Sequence, residues 1–378
     1  MTQFSSKSLV NKLLGGLALA GLMTFAAVGA RAADEEKVLN IYNWSDYIAE
    51  DTIANFEKET GIKVRYDTYD NNEILHAKLV AGKTGYDIVV PSSTFAPLQI
   101  SGGLLAKLDK SLLPNLKNYD PAAQAQISST IDPGNQYLVN WLWGYTTVGI
   151  NTAKVKAALG NEPIPDNVWE LIFNPKYVSK LKSCGVSVLD AGSEILPAAL
   201  HYLKKEPFSK NPGDYQEATA LLKSIRPYVT LFSSSGYIND MASGSICLAL
   251  GFNGDISIAR ARAIEGKTGQ DIKALVPKDG AVLFFDMAAI PADAAHPKNA
   301  HLFLNYVMRP EVQASISNKV KYANLNLASR KFISPDIVNN PAAFPTAAEM
   351  ATMIPPKPLT NDIRRLESRA HTTFKTGL

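Results

Sequence analysis

The chain has 378 residues, 46% hydrophobic and 19% charged, the balance of a globular protein. Its 38 basic and 35 acidic side chains give a net charge of +3, but the first 32 residues hold Lys7, Lys12 and Arg31 and no acid, so the remainder carries 35 of each sign. A neutral remainder argues against a nucleic-acid partner.

Lys7 and Lys12 form a basic start, Leu13 to Val28 is apolar and Gly-interrupted, and Ala30-Arg31-Ala32 is a small-x-small cleavage signal. Residues 1–32 therefore read as a signal peptide, cleaved near Ala32, rather than as a membrane anchor. The part beyond it is too long for one typical core and suggests two domains. Cys184 and Cys247 are the only cysteines. In an oxidising compartment a distant pair forms one disulfide. A catalytic thiol would need a histidine partner, and no motif pairs either cysteine with one. No zinc spacing is present either.

Leu39 to Tyr42 alternates as a strand, and a helical pattern begins near Ile48. Trp44, Ser45, Asp46 and Tyr47 lie between them, at the end of a strand, where open α/β sheets bind ligands. Two aromatics with a carboxylate suit an organic cation. Equally, the aromatics could be core and Asp46 a helix cap. Lys63 to Tyr69 reads as a strand, and Asn71 to Ala81 as a helix with Ile74, Leu75, Leu79 and Val80 inward. Tyr86 to Val90 reads as a buried strand that ends at Ser92-Ser93-Thr94. The repeated strand–helix–strand order implies a parallel sheet.

Further on, Gln136–Trp143 and Thr146–Asn151 read as two strands, with a crossing between lobes near Gly144. Ser183 to Leu189 is a strand followed by a helix, and Glu194 falls at that helix start, where the macrodipole alone would favour an acid. Ile246 to Leu250 is a strand, followed by Phe252 and then Asp255, which could be the cap of the next helix. Asp286 sits inside the apolar run Val282 to Ile290. A carboxylate there is costly unless it is paired or needed. Tyr322 lies in a polar loop.

The chain resembles the periplasmic polyamine-binding proteins of bacterial ABC importers, above all the putrescine-binding branch. The resemblance spans the chain beyond residue 32. It rests on Tyr42-Asn43-Trp44-Ser45-Asp46-Tyr47-Ile48, Asn55 to Val64, Asp87 to Ser92, Leu181 to Ser187, Tyr237-Ile238-Asn239-Asp240, Phe284-Phe285-Asp286, Phe303 to Tyr306 and Tyr322-Ala323-Asn324. It implies an α/β, two-lobed type II periplasmic binding protein fold, with mixed-sheet lobes, a hinge and a ligand cleft. The first lobe would comprise residues 33–143 and 262–318, the second 144–261 and 319–378, with Cys184 and Cys247 bridged in the second.

By the same resemblance Trp44, Tyr47, Phe284 and Tyr322 line a methylene chain. Ser45 and Asp286, assisted by Asp46, hold one ammonium; Glu194 and Asp255 hold the other; Ser92 forms a wall. Phe252 departs from the family, which usually has tryptophan there. Asp190, Ser193 and Thr94 occupy wall positions that could tune ligand length. The expected protein is a monomeric periplasmic receptor, not an enzyme and without cofactor or metal. It would pass putrescine, or next spermidine, to an inner-membrane ABC permease. The alternatives are a sensor for polyamines or other organic cations on the same fold, a metal-binding receptor, and an exported carboxylate-dependent hydrolase.

Overall fold

The computed structural model describes residues 35–377, so the expected signal peptide and its cleavage site lie outside the described residues. None of the described helices is long and apolar enough to cross a membrane. Nine strands form the sheet framework: β1 (Val38–Trp44), β2 (Lys63–Tyr69), β3 (Ile88–Val89), β4 (Leu138–Asn151), β5 (Val186–Val188), β6 (Leu231–Phe232), β7 (Leu248–Phe252), β8 (Ile272–Ala274) and β9 (Leu283–Ala289). Their order is β2-β1-β3-β9-β4-β7-β5-β6, with β8 also paired to β4.

The spine is β4. Two strands broken near Gly144 are expected there, but the structure has one strand of 14 residues, buried throughout. Its first half pairs antiparallel with β9, from Leu138 opposite Ala289 to Tyr145 opposite Leu283. Its second half pairs antiparallel with β7, from Thr146 opposite Phe252 to Ile150 opposite Leu248. Gly144 marks a close approach rather than a turn: a Cβ there would lie 2.4 Å from Asn253 Oδ1 and 2.9 Å from Phe284. The sheet thus has two halves joined through β4. One holds β2, β1 and β3 in parallel with β9 reversed. The other holds β5 parallel to both β6 and β7. The segment 272–274, expected in the first lobe, hydrogen-bonds instead to Gly149–Asn151 in the second half of β4.

The helices follow local signals. Glu50–Thr60 begins with two acids and closes at Gly61, whose φ of 70° suits a residue without a Cβ. Asn72–Ala81 is capped by Asn71, whose side chain accepts the Ile74 N–H. Leu75 and Leu79 face inward as expected, but Ile74 and Val80 are 46% and 61% exposed. Four apolar positions span more of the helix than its contact with the sheet covers. Pro121–Thr130, rich in Ala, Gln and Ser, buries only Ile127, so it carried no apolar stripe to read. The helix Asn361–Thr376 packs on the helices Gly192–Tyr202 and Pro212–Ile225. Cys184 and Cys247 are bridged, with Cα atoms 5.5 Å apart, tying the turn before β5 to the start of β7.

Candidate functional site

A pocket with about 450 Å³ of empty space lies where the two halves face each other. Trp44, Ser45 and Tyr47 come from the end of β1. Ser92 follows β3, and Phe284 and Asp286 lie two apart on one face of β9. Glu194 and Asp255 enter from the first turns of the helices Gly192–Tyr202 and Asn253–Glu265, and Phe252 from the end of β7. Tyr322 reaches in from its loop.

Each buried acid is held by hydroxyls. Asp286, 4% exposed, accepts the Tyr47 hydroxyl at 2.7 Å. Asp255 accepts Tyr322 at 2.6 Å and Tyr237 at 2.9 Å. This replaces the cap reading of Asp255: the helix starts at Asn253, and Phe252 precedes it without a side-chain cap. Glu194 accepts the Thr146 hydroxyl at 2.8 Å. Asp70 also lines the pocket and accepts the Ser45 hydroxyl at 3.0 Å. Among the described residues no Lys, Arg or His lines it. Burial is the main cause that pushes the carboxyls of Asp255 and Asp286 up to about 7 and that of Glu194 to about 8. Neighbouring acids add to the rise: Asp255 raises Asp286, while Glu73 and Asp286 raise Glu194. Such a site gains from an incoming cation.

The walls between the acids are aromatic. Trp44 is fixed by its indole N–H, which donates to the Val90 carbonyl at 2.8 Å, and by Tyr69, whose ring centre is 4.7 Å away. Tyr47 meets Tyr322 edge-on at 5.0 Å, and Phe252 meets Phe284 edge-on at 5.3 Å. Tyr322 lies so close to Gly254 that a Cβ there would sit 2.2 Å from its ring. Ser92 is oriented by Asn72, whose amide donates to its hydroxyl at 2.8 Å.

Ten of the eleven expected ligand residues line this pocket. Asp46 does not. Its φ is +54° and its carboxylate pairs with Arg262 at 2.6 Å; nor does it cap the next helix, whose cap position is Ala49. Thr94 stands behind Ser92, 2.8 Å between hydroxyl oxygens, while Asp190 and Ser193 line a neighbouring cavity. Sequence reading missed Tyr69, Asp70, Asn72, Ser234 and Ser235. The strand-end rule would have found most of them: Tyr69 lies opposite Trp44 in the β1–β2 register, and the serines follow β6. Among the described residues no group of His, Cys, Asp and Glu could hold a metal ion.

Residues 51–346 match the family described as bacterial extracellular solute-binding protein. The chain is 47% identical over 371 residues to the putrescine-binding periplasmic protein PotF of Escherichia coli, covering 98% of this chain and 99% of PotF. It is 46% identical over 366 residues to the putrescine-binding periplasmic protein SpuD of Pseudomonas aeruginosa, covering 97% and 98%. Among solved structures it is similar to PotD, the spermidine/putrescine ABC transporter substrate-binding protein of Streptococcus pneumoniae. The TM-score is 0.70 at 24% identity, over 90% of this chain and 99% of that one, a likeness of fold.

Proposed function

The chain belongs to the bacterial extracellular solute-binding proteins, and from that premise we propose that it captures a polyamine, putrescine first and spermidine next, and delivers it to an ABC permease. The observation that carries this reading is a pocket lined, among the described residues, by four acids and no base, with aromatic walls between the acids. A diamine is charged at both ends and apolar in the middle. Each buried ammonium needs acceptors, and each charge-assisted hydrogen bond contributes about 1.5–3 kcal/mol. A cation against an aromatic face adds about 0.5–2 kcal/mol.

In this reading Asp286, with Tyr47 and Ser45, receives one ammonium. Glu194 and Asp255 receive the other. Trp44, Tyr47, Phe252, Phe284 and Tyr322 enclose the methylenes, and Ser92 closes a wall. Asp46 acts from outside the pocket, through Arg262. The protein works in the periplasm as a monomer, after removal of residues 1–32, and performs no chemistry. The lobes divide within β4, and the return crossing falls near Leu283, since β8 is bonded to the second half.

The test is titration calorimetry on protein stripped of ligand by unfolding and refolding, with putrescine, cadaverine, agmatine, spermidine and spermine. A diamine should bind at about micromolar affinity or tighter, near −8 kcal/mol. An absence of heat with every amine would overturn the reading.

A further inference from the structure

Glu194, Asp255 and Asp286 are all buried, so an amine reaches them only when the two halves move apart. Whatever ties the halves together once they meet again therefore acts on how long the amine stays. One such tie comes from the C-terminal helix, which the ligand does not touch.

Arg364 stands in the first turn of the helix Asn361–Thr376, which packs on the helices Gly192–Tyr202 and Pro212–Ile225 of the second half. Its guanidinium crosses to two consecutive residues of the first half. It donates to the Thr94 carbonyl, and it lies 4.2 Å from the centre of the Phe95 ring. A guanidinium is suited to this double contact, because it stacks on an aromatic face while its N–H groups donate in the plane. Arg364 lines the neighbouring cavity, not the ligand pocket.

The segment that it grips is the pocket wall. The Thr94 and Ser92 hydroxyl oxygens are 2.8 Å apart, and the Phe95 N–H donates to the Ser92 carbonyl at 3.0 Å. The Ser93 N–H donates to the Phe285 carbonyl at 2.7 Å, beside Asp286. Thr94 and Phe95 are themselves buried. A pull on them is thus carried to Ser92 and to the strand that bears Asp286. The tie is also a partial one. Arg364 Nε is buried without a partner, and burial works against the guanidinium charge, opposed first by Glu367 on the same helix. Part of what the contact gains is offset by water lost, so the tie biases closure without locking it.

We propose that Arg364 is a positioning residue for ligand capture: it clasps Thr94 and Phe95 across the cleft and so slows release of any bound amine, whatever the amine's length. This rests on the polyamine reading and adds a residue outside the pocket to it. A contact made only when the halves meet favours the closed state and leaves the first encounter with the ligand alone.

The experiment measures putrescine and cadaverine on the stripped mature protein. Calorimetry gives the affinity, stopped-flow fluorescence of the tryptophans, Trp44 in the pocket among them, gives the association rate, and the two together give the release rate. Arg364→Ala should speed release of both amines by about tenfold and leave association within about threefold of the parent. Phe95→Leu should speed release by about threefold in the parent, and by much less in the Arg364→Ala background, since the two side chains act as one contact. The proposal is overturned if release is unchanged, if the loss falls on association instead, if only one of the two amines is affected, or if the two substitutions add in full. Full additivity would mean that Arg364 merely stabilises its own helix. Should Arg364→Ala fail to fold by circular dichroism, Phe95→Leu alone decides, and an unchanged release rate then overturns the clasp. Lack of binding of either amine by the parent would instead overturn the polyamine reading, and this inference with it.

Discussion

Asp286 shows how one residue can carry most of a site. It is embedded in an apolar strand, 4% exposed, with only the Tyr47 hydroxyl on its carboxylate. Asp286→Ala should weaken diamine binding by about 2–5 kcal/mol, because it leaves a buried ammonium without its acceptor. A calorimetric affinity within about twofold of the parent would remove Asp286 from the site. The raised carboxyls set a pH dependence. In the empty pocket Asp255 and Asp286 titrate near 7 and Glu194 near 8, well above the same groups in an unfolded chain. The folded, empty protein therefore binds more protons than the unfolded one between about pH 4 and 8, and its stability falls as pH rises through that range. A cationic ligand needs those carboxyls ionised, so binding releases protons and tightens from pH 6 to 8. The thermal shift produced by putrescine should grow over the same interval. A shift that is flat or shrinks with rising pH would mean that these acids do not receive the ligand.

At the scale of elements, the site depends on close approaches between segments far apart in sequence. Gly254 lets Tyr322 lie against the start of the helix Asn253–Glu265, where its hydroxyl donates to Asp255. Gly254→Ala should push Tyr322 away and weaken diamine binding by at least about tenfold, with the helix intact by circular dichroism. Unchanged affinity would show that Tyr322 does not position Asp255. The disulfide is a different kind of tie. It joins β7 to the turn before β5, away from the pocket, and closes a loop 63 residues apart in sequence. Replacing both cysteines with serine should cost about 2–4 kcal/mol of unfolding free energy by denaturant titration. Diamine affinity should stay within about twofold of the parent. A large affinity loss would show that the bridge shapes the site.

For the whole molecule, ligand capture is a question of how the two halves close. Contacts cross between them besides the sheet, among them Asp46 with Arg262, Glu73 with the Ser193 N–H at 3.5 Å, Arg364 with the Thr94 carbonyl, and the ring contacts Tyr47–Tyr322 and Phe252–Phe284. A ligand touching both halves favours the closed arrangement by its extra affinity for that state. Small-angle scattering should show the stripped protein contracting when saturated with putrescine, and Asp46→Asn should reduce the fraction closed. An identical radius with and without ligand would rule out closure as the capture step.

Much of this was legible along the chain, because it follows from local order. The period of apolar residues identified β1, β2 and the helix Asn72–Ala81, and the strand-end rule brought Trp44, Tyr47, Glu194 and Asp255 into view. The apolar run around Asp286 marked that acid as costly before any neighbour was known. What only the tertiary structure decided depends on partners distant in sequence. Gly144 reads as a break but is a point of close packing inside one strand, since its crowding comes from Asn253 and Phe284. Asp46 reads as a ligand, yet a left-handed backbone and Arg262, 216 residues away, draw it out of the pocket. Local pattern fixes which face of an element is apolar and where its ends lie; which charges meet depends on how the elements pack, and that is a property of the folded chain alone.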